Sequence, residues 1–272
     1  MSDTDVRFGG IKRLYGTAGF ERLRRARVCV IGIGGVGSWV AESLARSAVG
    51  SLTLVDLDDV CVSNVNRQVH AVSGEIGRPK VEVMGRRCQA IHPECAIEAR
   101  QEFFLPETSE SLLRDGFDYV VDAIDSGLHK ALLIALCTAR GMRIITVGGA
   151  GGRRDPSRAR VADLAESTHD RLLVKVRKEL RAQHGFPERP KKFDVEAVFS
   201  TEPLVYPSSD GSVCEAKEEG AELRLDCESG FGTASFVTGT FGLLAAARVV
   251  QGLAMESVAC ASANATMRSH NF

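Results

Sequence analysis

VCVIGIGGVGSWVAESLA, residues 28–45, is the stretch whose reading decides the fold. It is entered through a short apolar run of strand type, Arg27–Ile31. From Gly37 onward, Trp39, Val40 and Leu44 recur on one side of a helix. Between strand and helix stands G-x-G-x-x-G at Gly32, Gly34 and Gly37, and each glycine has a mechanical task there: a tight turn, backbone access to a phosphate, and close packing of helix on strand. The helix start offers free N–H groups and partial positive charge to an anion, and Gly35 adds freedom beside the phosphate path. A second strand, Ser51–Val55, ends at Asp56, 24 residues beyond Gly32, where a carboxylate can accept ribose hydroxyls. The unit is predicted to bind a nucleotide. The glycines alone do not separate NAD from ATP.

Further along, the pattern repeats. Residues 79–91 and 130–140 have helical spacing, and 96–100, 119–123 and 143–147 read as strands. Strands alternating with helices predict an α/β, Rossmann-like, mostly parallel sheet with helices on both faces. Ligands bind such sheets outside the carboxyl ends of the strands. The 272 residues are expected to hold one unit over 1–255, with its nucleotide-binding core at 27–152. Residues 1–26 read as an arm with a helix near 19–25. Residues 153–195, rich in Arg and Lys with Pro156, Pro187 and Pro190, read as a basic insertion of helix and loop. Residues 196–255 read as a C-terminal α+β extension of short strands and an apolar helix. The small, polar residues 256–272 are expected to be a disordered tail.

Composition narrows the class. Hydrophobic residues are 44% and charged residues 25%, ample for a buried core, and the net charge of −1 means that any RNA contact must come from a local patch. The eight cysteines include no C-x-x-C pair, and several, such as Cys29, sit in apolar runs. This pattern suits reduced cysteine in a cytoplasmic protein and excludes a zinc site of the paired type. The polar, basic opening is no secretory signal. The apolar stretch 231–254 carries Arg248, Gln251 and several glycines, and reads as a core or interface helix rather than a membrane span.

The residues downstream of Asp56 decide between nucleotides. Asn66, Arg67 and Gln68, then Lys80, bring two cations toward the same loop, which suits a triphosphate and the charge that builds on an α-phosphate under attack. Asp122 and Asp125 close the YVVDAIDS strand, where a carboxylate can hold a magnesium ion bridging phosphates. In order, GIGGVG, D-x-D-D-V (Asp56, Asp58), S-N-x-N-R-Q, G-x-x-K and D-A-I-D-S (Asp125, Ser126) resemble the ubiquitin-activating-enzyme-like adenylyltransferases over residues 7–152. The resemblance implies a ribose contact at Asp56, phosphate contacts at Arg67 and Lys80, and Mg2+ with a central catalytic role at Asp125. It also implies an arginine reaching the nucleotide from a partner subunit, for which Arg13 and Arg7 are the candidates, and hence a homodimer.

Sulfur-carrier activators of that family commonly hold zinc with two C-x-x-C pairs, which this chain lacks. Its TVGGAGG (146–152), VFSTEPLVYP (198–207), DGSVC (210–214) and DCESGFGTASFVTGTFG (226–242) are instead similar to the tRNA threonylcarbamoyladenosine dehydratases. That resemblance implies ATP, tRNA and a reaction. The free carboxylate of a threonylcarbamoyl group attacks the α-phosphate of ATP, and the resulting acyl-adenylate closes on itself with loss of AMP. It leaves room for a monovalent cation (Na+ or K+) at the nucleotide loops and for a sulfur-transfer or accessory protein. Cys227 is a candidate nucleophile, since related carrier activators use a cysteine, although a structural thiol explains it as well. The basic segment 171–192 is a candidate grip for tRNA phosphates, or else a solvated helix face. His169 and His184 are expected at the surface and Trp39 in the core.

Three rival readings remain open. An activator of a ubiquitin-like or sulfur-carrier protein would share the ATP site but bind a protein tail. An NAD-dependent oxidoreductase would leave Arg67 and Lys80 unexplained. A silent adaptor would have no use for the full set.

Overall fold

Four strands form the centre of the sheet: β1 (Arg27–Ile31), β2 (Ser51–Val55), β4 (Tyr119–Asp122) and β5 (Ile144–Val147). Their residues are buried almost throughout, as both-sided coverage requires. The structure is a computed structural model and describes residues 3–114, 116–188, 190–208, 210–215 and 231–255. The seven strands run in the order β3-β2-β1-β4-β5-β7-β6, with β3 at Ala96–Arg100, β6 at Ala159–Asp163 and β7 at Glu196–Ser200. All neighbours pair in parallel except β6, which returns antiparallel to β7. A two-stranded hairpin of β8 (Tyr206–Pro207) and β9 (Val213–Cys214) stands apart.

Alternation along each strand divides the core into two layers. Val28 and Val30 face α3 (Gly37–Arg46), α4 (Lys80–Ile91) and α8 (Ser235–Ala254). Cys29 and Ile31 face α5 (Pro106–Leu113), α6 (Gly127–Ala139) and α7 (Arg171–His184). At the N-terminus, α1 (Asp3–Arg7) leads into α2 (Gly9–Arg25), which is broken at Gly16 (φ 70°) and packs on α8 through Gly19 and Ala254. Long and apolar enough to cross a membrane, α8 instead packs on α3, α2 and β5. It is a core helix, with Phe236 and Leu243 left exposed.

Three parts of the fold differ from the sequence reading. The stretch 153–195 is more than helix and loop. It supplies edge strand β6, whose ARVAD is only half-buried and carries Arg160 on one face and Asp163 on the other, so it shows no apolar run. Its helix α7 is bound into the core by Leu173, Val176 and Leu180. Second, α5 begins with proline at its first turn and continues TSES before its two buried leucines, too little periodicity to be read. Third, the N-terminal arm is helical well before residue 19. Residues 256–272 and Cys227 lie outside the described residues.

Candidate active site

The strand order reverses between β1 and β4, and the loops leaving their carboxyl ends meet there. Gly32 (φ 90°) donates to Val55 O (2.8 Å), and Ala123 donates to Ile31 O (2.9 Å), so the ends of β1, β2 and β4 are stitched together. A side chain at Gly32 would strike Ala123 O, and one at Gly37 would collide with Gly32 O. At Gly34 an added Cβ would meet nothing within 4 Å, which leaves an open cradle at the start of α3.

Helix starts converge on this cradle without side-chain caps. The N-cap residues of α3, α4 and α6 (Val36, Pro79 and Ser126) accept no hydrogen bond on their side chains. A helix start leaves unsatisfied N–H groups and partial positive charge, the arrangement that receives a phosphate.

Asp56 closes β2 and holds the loop. Its Oδ2 accepts from Ile33 N (2.7 Å) and its Oδ1 from Asp58 N (2.9 Å). Burial holds its carboxyl above the ordinary range, opposed by Lys80 and by those two amides. Lys80, the first residue of α4, is buried; its Nζ donates to Asp58 Oδ2 at 2.7 Å and stands 4.0 Å from Asp56 Oδ1. Asp58 itself is exposed, so the ammonium is held by a carboxylate that water can reach.

Arg67 lies over the glycine loop, its stem about where a Gly35 side chain would reach (3.5 Å). Its Nη1 donates to Ser63 O (2.6 Å) and Asn66 Oδ1 (3.0 Å). Asn66 Nδ2 in turn donates to Thr233 O (2.9 Å), just ahead of α8. Gln68 is turned inside, and its Oε1 has no hydrogen-bond partner. Asp125 stands exposed in the loop after β4, next to Ser126 at the start of α6. Arg13 is exposed on α2, a helix that packs on α8. Gly32, Gly34, Gly35, Gly37, Asp56, Asp58, Arg67, Lys80, Asp125 and Ser126 thus share one end of the sheet.

Some readings need correction. Asp122 is no metal ligand: fully buried, it pairs with Lys130 Nζ (2.9 Å), accepts from Thr146 Oγ1 (2.7 Å) and receives Ile124 N (3.1 Å). Last in its strand, it faces into the α6 layer and not onto the open edge. Trp39 is half-buried rather than core. Its Nε1 donates to Arg67 O (3.0 Å), and Thr238 Oγ1 reaches the same carbonyl at 3.2 Å. Thr238 and Lys130 escaped the sequence reading, as did the hydrogen bond of Trp39. The one signal was a threonine hydroxyl inside the apolar TGTFG of α8. Arg177 of the basic segment is buried against Ser167 Oγ and cannot meet a phosphate. Of the described cysteines, Cys29, Cys88, Cys95 and Cys137 are buried, and burial pushes their thiols up, so they are inert packing groups.

A model of the ThiF family matches residues 10–271. The chain is 49% identical over 255 residues to the tRNA threonylcarbamoyladenosine dehydratase of Haemophilus influenzae, covering 93% of this chain and 95% of that protein. To the Escherichia coli K12 protein of the same name it is 47% identical, over 90% and 92%. The crystal structure of E. coli tRNA N6-threonylcarbamoyladenosine dehydratase, TcdA, in complex with ATP matches with a TM-score of 0.82, 40% identity and 98% of both chains covered.

Proposed function

We infer that this chain, which belongs to the ThiF family, is an ATP-dependent adenylating enzyme that dehydrates threonylcarbamoyladenosine in tRNA. The observation that carries the adenylating step is the meeting of uncapped helix starts with Lys80, Arg67 and Asp125 around the open Gly34 cradle. The substrate comes from the dehydratases that this chain matches over nearly its whole length.

The site's residues suit each step. Asp56 accepts from the ribose, and the amides that open α3 receive phosphate oxygens. Lys80 exchanges its exposed partner Asp58 for a phosphate oxygen, and Arg67 takes charge from the other side. The substrate carboxylate then attacks the α-phosphorus, the bond to the bridging oxygen breaks, and pyrophosphate leaves. A carbamoyl nitrogen or oxygen of the same group attacks the activated carbonyl and expels AMP. The substrate loses the elements of water. Because that nucleophile belongs to the substrate, positioning does most of the work, and transition-state charge falls to Lys80 and Arg67.

Among the described residues no cluster of three or more Asp, Glu, His or Cys could hold a metal ion. The single exposed carboxylate of Asp125 fits a magnesium ion whose other ligands are phosphates and water. When bound, that ion would neutralise charge on the triphosphate. A Na+ or K+ ion at the loop would want neutral oxygens, and the unpartnered Gln68 Oε1 is one. The exposed Phe236 and Leu243, seven residues apart on α8, are proposed as part of a homodimer face. Across it Arg13 would reach the partner's nucleotide, and a concentration-independent monomer in sedimentation would reject that arrangement. ATP and tRNA as substrates put the reaction in the cytoplasm.

The test is nucleoside analysis of tRNA carrying threonylcarbamoyladenosine after incubation with the protein, ATP and magnesium. A nucleoside lighter by one water, formed only with ATP, is the expected product. ATP binding without that product would overturn the reading in favour of an activator of a protein carboxyl terminus.

A further inference from the structure

The basic segment 171–192 resolves into cations that are already engaged and cations that are not. Arg177 is buried on Ser167. Arg181 stacks on Phe193 (4.9 Å) and pairs with Glu188 (3.3 Å), while Lys192 pairs with Glu166 (3.4 Å). Arg189 lies outside the described residues. The remaining cations of α7, Arg171, Lys175 and Lys178, are all exposed and stand at i, i+4 and i+7. That spacing makes a single stripe along the helix. Val174 and Ala182 flank it, and Glu179, half-buried and four residues beyond Lys175, is the one carboxylate of α7 beside it, so the stripe keeps an excess of positive charge.

Where the stripe begins gives it meaning. Asp170 caps α7 by accepting from Leu173 N (2.9 Å), and its other oxygen accepts from Gly149 N (2.9 Å) in the loop leaving β5. The helix therefore starts at the same end of the sheet as the glycine loop. Against its first turns lies the start of α6: a side chain at Gly127 would stand 3.4 Å from Lys175 Cβ. Gly127 is two residues from Asp125. Arg171 is steadied over the Tyr206 ring (5.2 Å). From there to Lys178 the charges span ~10 Å at the rise of an α-helix.

We propose that Arg171, Lys175 and Lys178 form the track on which the phosphodiester backbone of the substrate RNA lies as its modified nucleotide enters the site. The proposal rests on the tRNA reading above. A ligand that presents a nucleotide at Asp125 and continues outward must carry its next negative charges past Lys175, and a polynucleotide does so at every residue. On a chain of net charge −1 the attraction has to be local, and this stripe supplies it beside the reacting group. Phosphate contacts of this kind fix orientation without reading sequence.

The test uses the full-length protein and the double variant K175E/K178E, with K175R/K178R as the charge-preserving control. Both positions are exposed, so the fold should survive, and circular dichroism checks it. With modified tRNA and saturating ATP, the KM for RNA should rise by at least ~10-fold in the Glu variant, with the KM for ATP held. The slope of log KM against log salt should become shallower by about 1.5, since each phosphate that is no longer neutralised lowers it by roughly 0.7–0.9. The Arg variant should keep the wild-type slope. Identical RNA KM and salt slope in wild type and K175E/K178E would overturn the proposal. Should wild type fail to convert tRNA at all, the dehydratase reading falls separately. Retention of unmodified tRNA on a filter still decides the stripe, and equal retention by wild type and Glu variant would sink it.

Discussion

Two lysine–aspartate pairs stand at the carboxyl ends of β2 and β4, the strands on either side of β1, and they serve opposite ends. Lys130 and Asp122 are both 0% exposed, and their remaining polar atoms are spent on Asp122 O, Thr146 Oγ1 and Ile124 N. Lys80 is 8% exposed, but its partner Asp58 is 55% exposed and can be exchanged. A sealed pair has no ligand to meet and holds the β4 loop in shape. A pair with one open member can trade its carboxylate for a phosphate. The contrast teaches that whether an ion pair is free to exchange a member is set by the accessibility of the partner, not of the cation.

The largest test breaks the sealed pair. Lys130→Met strips the buried Asp122 carboxyl of its ammonium partner, and should cost ~3–5 kcal/mol of stability, read from denaturant midpoints. Replacing both, Asp122→Leu with Lys130→Met, should recover most of that loss. A single variant that keeps its stability yet loses turnover would place Lys130 among the working groups and collapse the comparison. The open pair should behave in reverse. Lys80→Ala should lower turnover by ~10²–10³-fold with ATP binding largely kept, as removal of a preorganised charge from a transition state does. Its stability should fall less than that of Lys130→Met, because water reaches the Asp58 partner, even though the buried Asp56 carboxyl loses its nearby cation. Turnover with modified tRNA and calorimetric ATP titration measure both sides, and unchanged turnover would remove Lys80 from the site.

This contrast also marks where the sequence was legible. That the glycine loop, Asp56, Arg67 and Lys80 gather at one end of the sheet could be read because the loop's covalent order forces them together once β1 and β2 are parallel neighbours. The central strands could be read because burial on both faces leaves continuous apolar runs. Asp122 was misread because one residue of strand phase decides whether a carboxylate faces the open edge or the α6 layer, and its partner lies eight residues on, inside a helix. Strand β6 was missed because an edge strand needs no apolar run. Trp39 was placed in the core from helical spacing, which says nothing about where an indole N–H ends.

Trp39 gives the next test. Its N–H and the Thr238 hydroxyl both donate to Arg67 O, so α3 and α8 together set the height of Arg67 over the glycine loop. Trp39→Phe keeps a ring beside Gly239 and Gly242 but loses a bond worth about 1 kcal/mol, so kcat/KM for ATP should fall roughly fivefold. A fall shared equally by tRNA and ATP parameters would mark a general loosening instead. Trp39 is the chain's single tryptophan, and ATP should change its fluorescence if Arg67 shifts onto phosphate. A silent titration with ATP bound would detach the indole from the site.

The smallest effect concerns His70, near Lys80 on the open side. It is 2% exposed, and neither ring nitrogen has a hydrogen-bond partner. Burial first, then the charges of Lys80 and Arg87, push its pKa from 6.5 down to about 4. The folded protein therefore keeps His70 neutral while the unfolded chain takes up a proton as pH falls below 6.5. Stability supplied by the neutral ring is fully present above that value and is lost as pH falls toward about 4. A single group of this kind can contribute a slope of at most ~1.4 kcal/mol per pH unit. His92 is also held down by burial, so His70→Leu should reduce the acid slope of the denaturation midpoint without abolishing it. An unchanged slope between about pH 7 and pH 5 would mean that the folded protein already admits a proton at His70. The ground beside Lys80 would then be as open to water as Asp58, and the ammonium would owe its place to that exposed carboxylate alone.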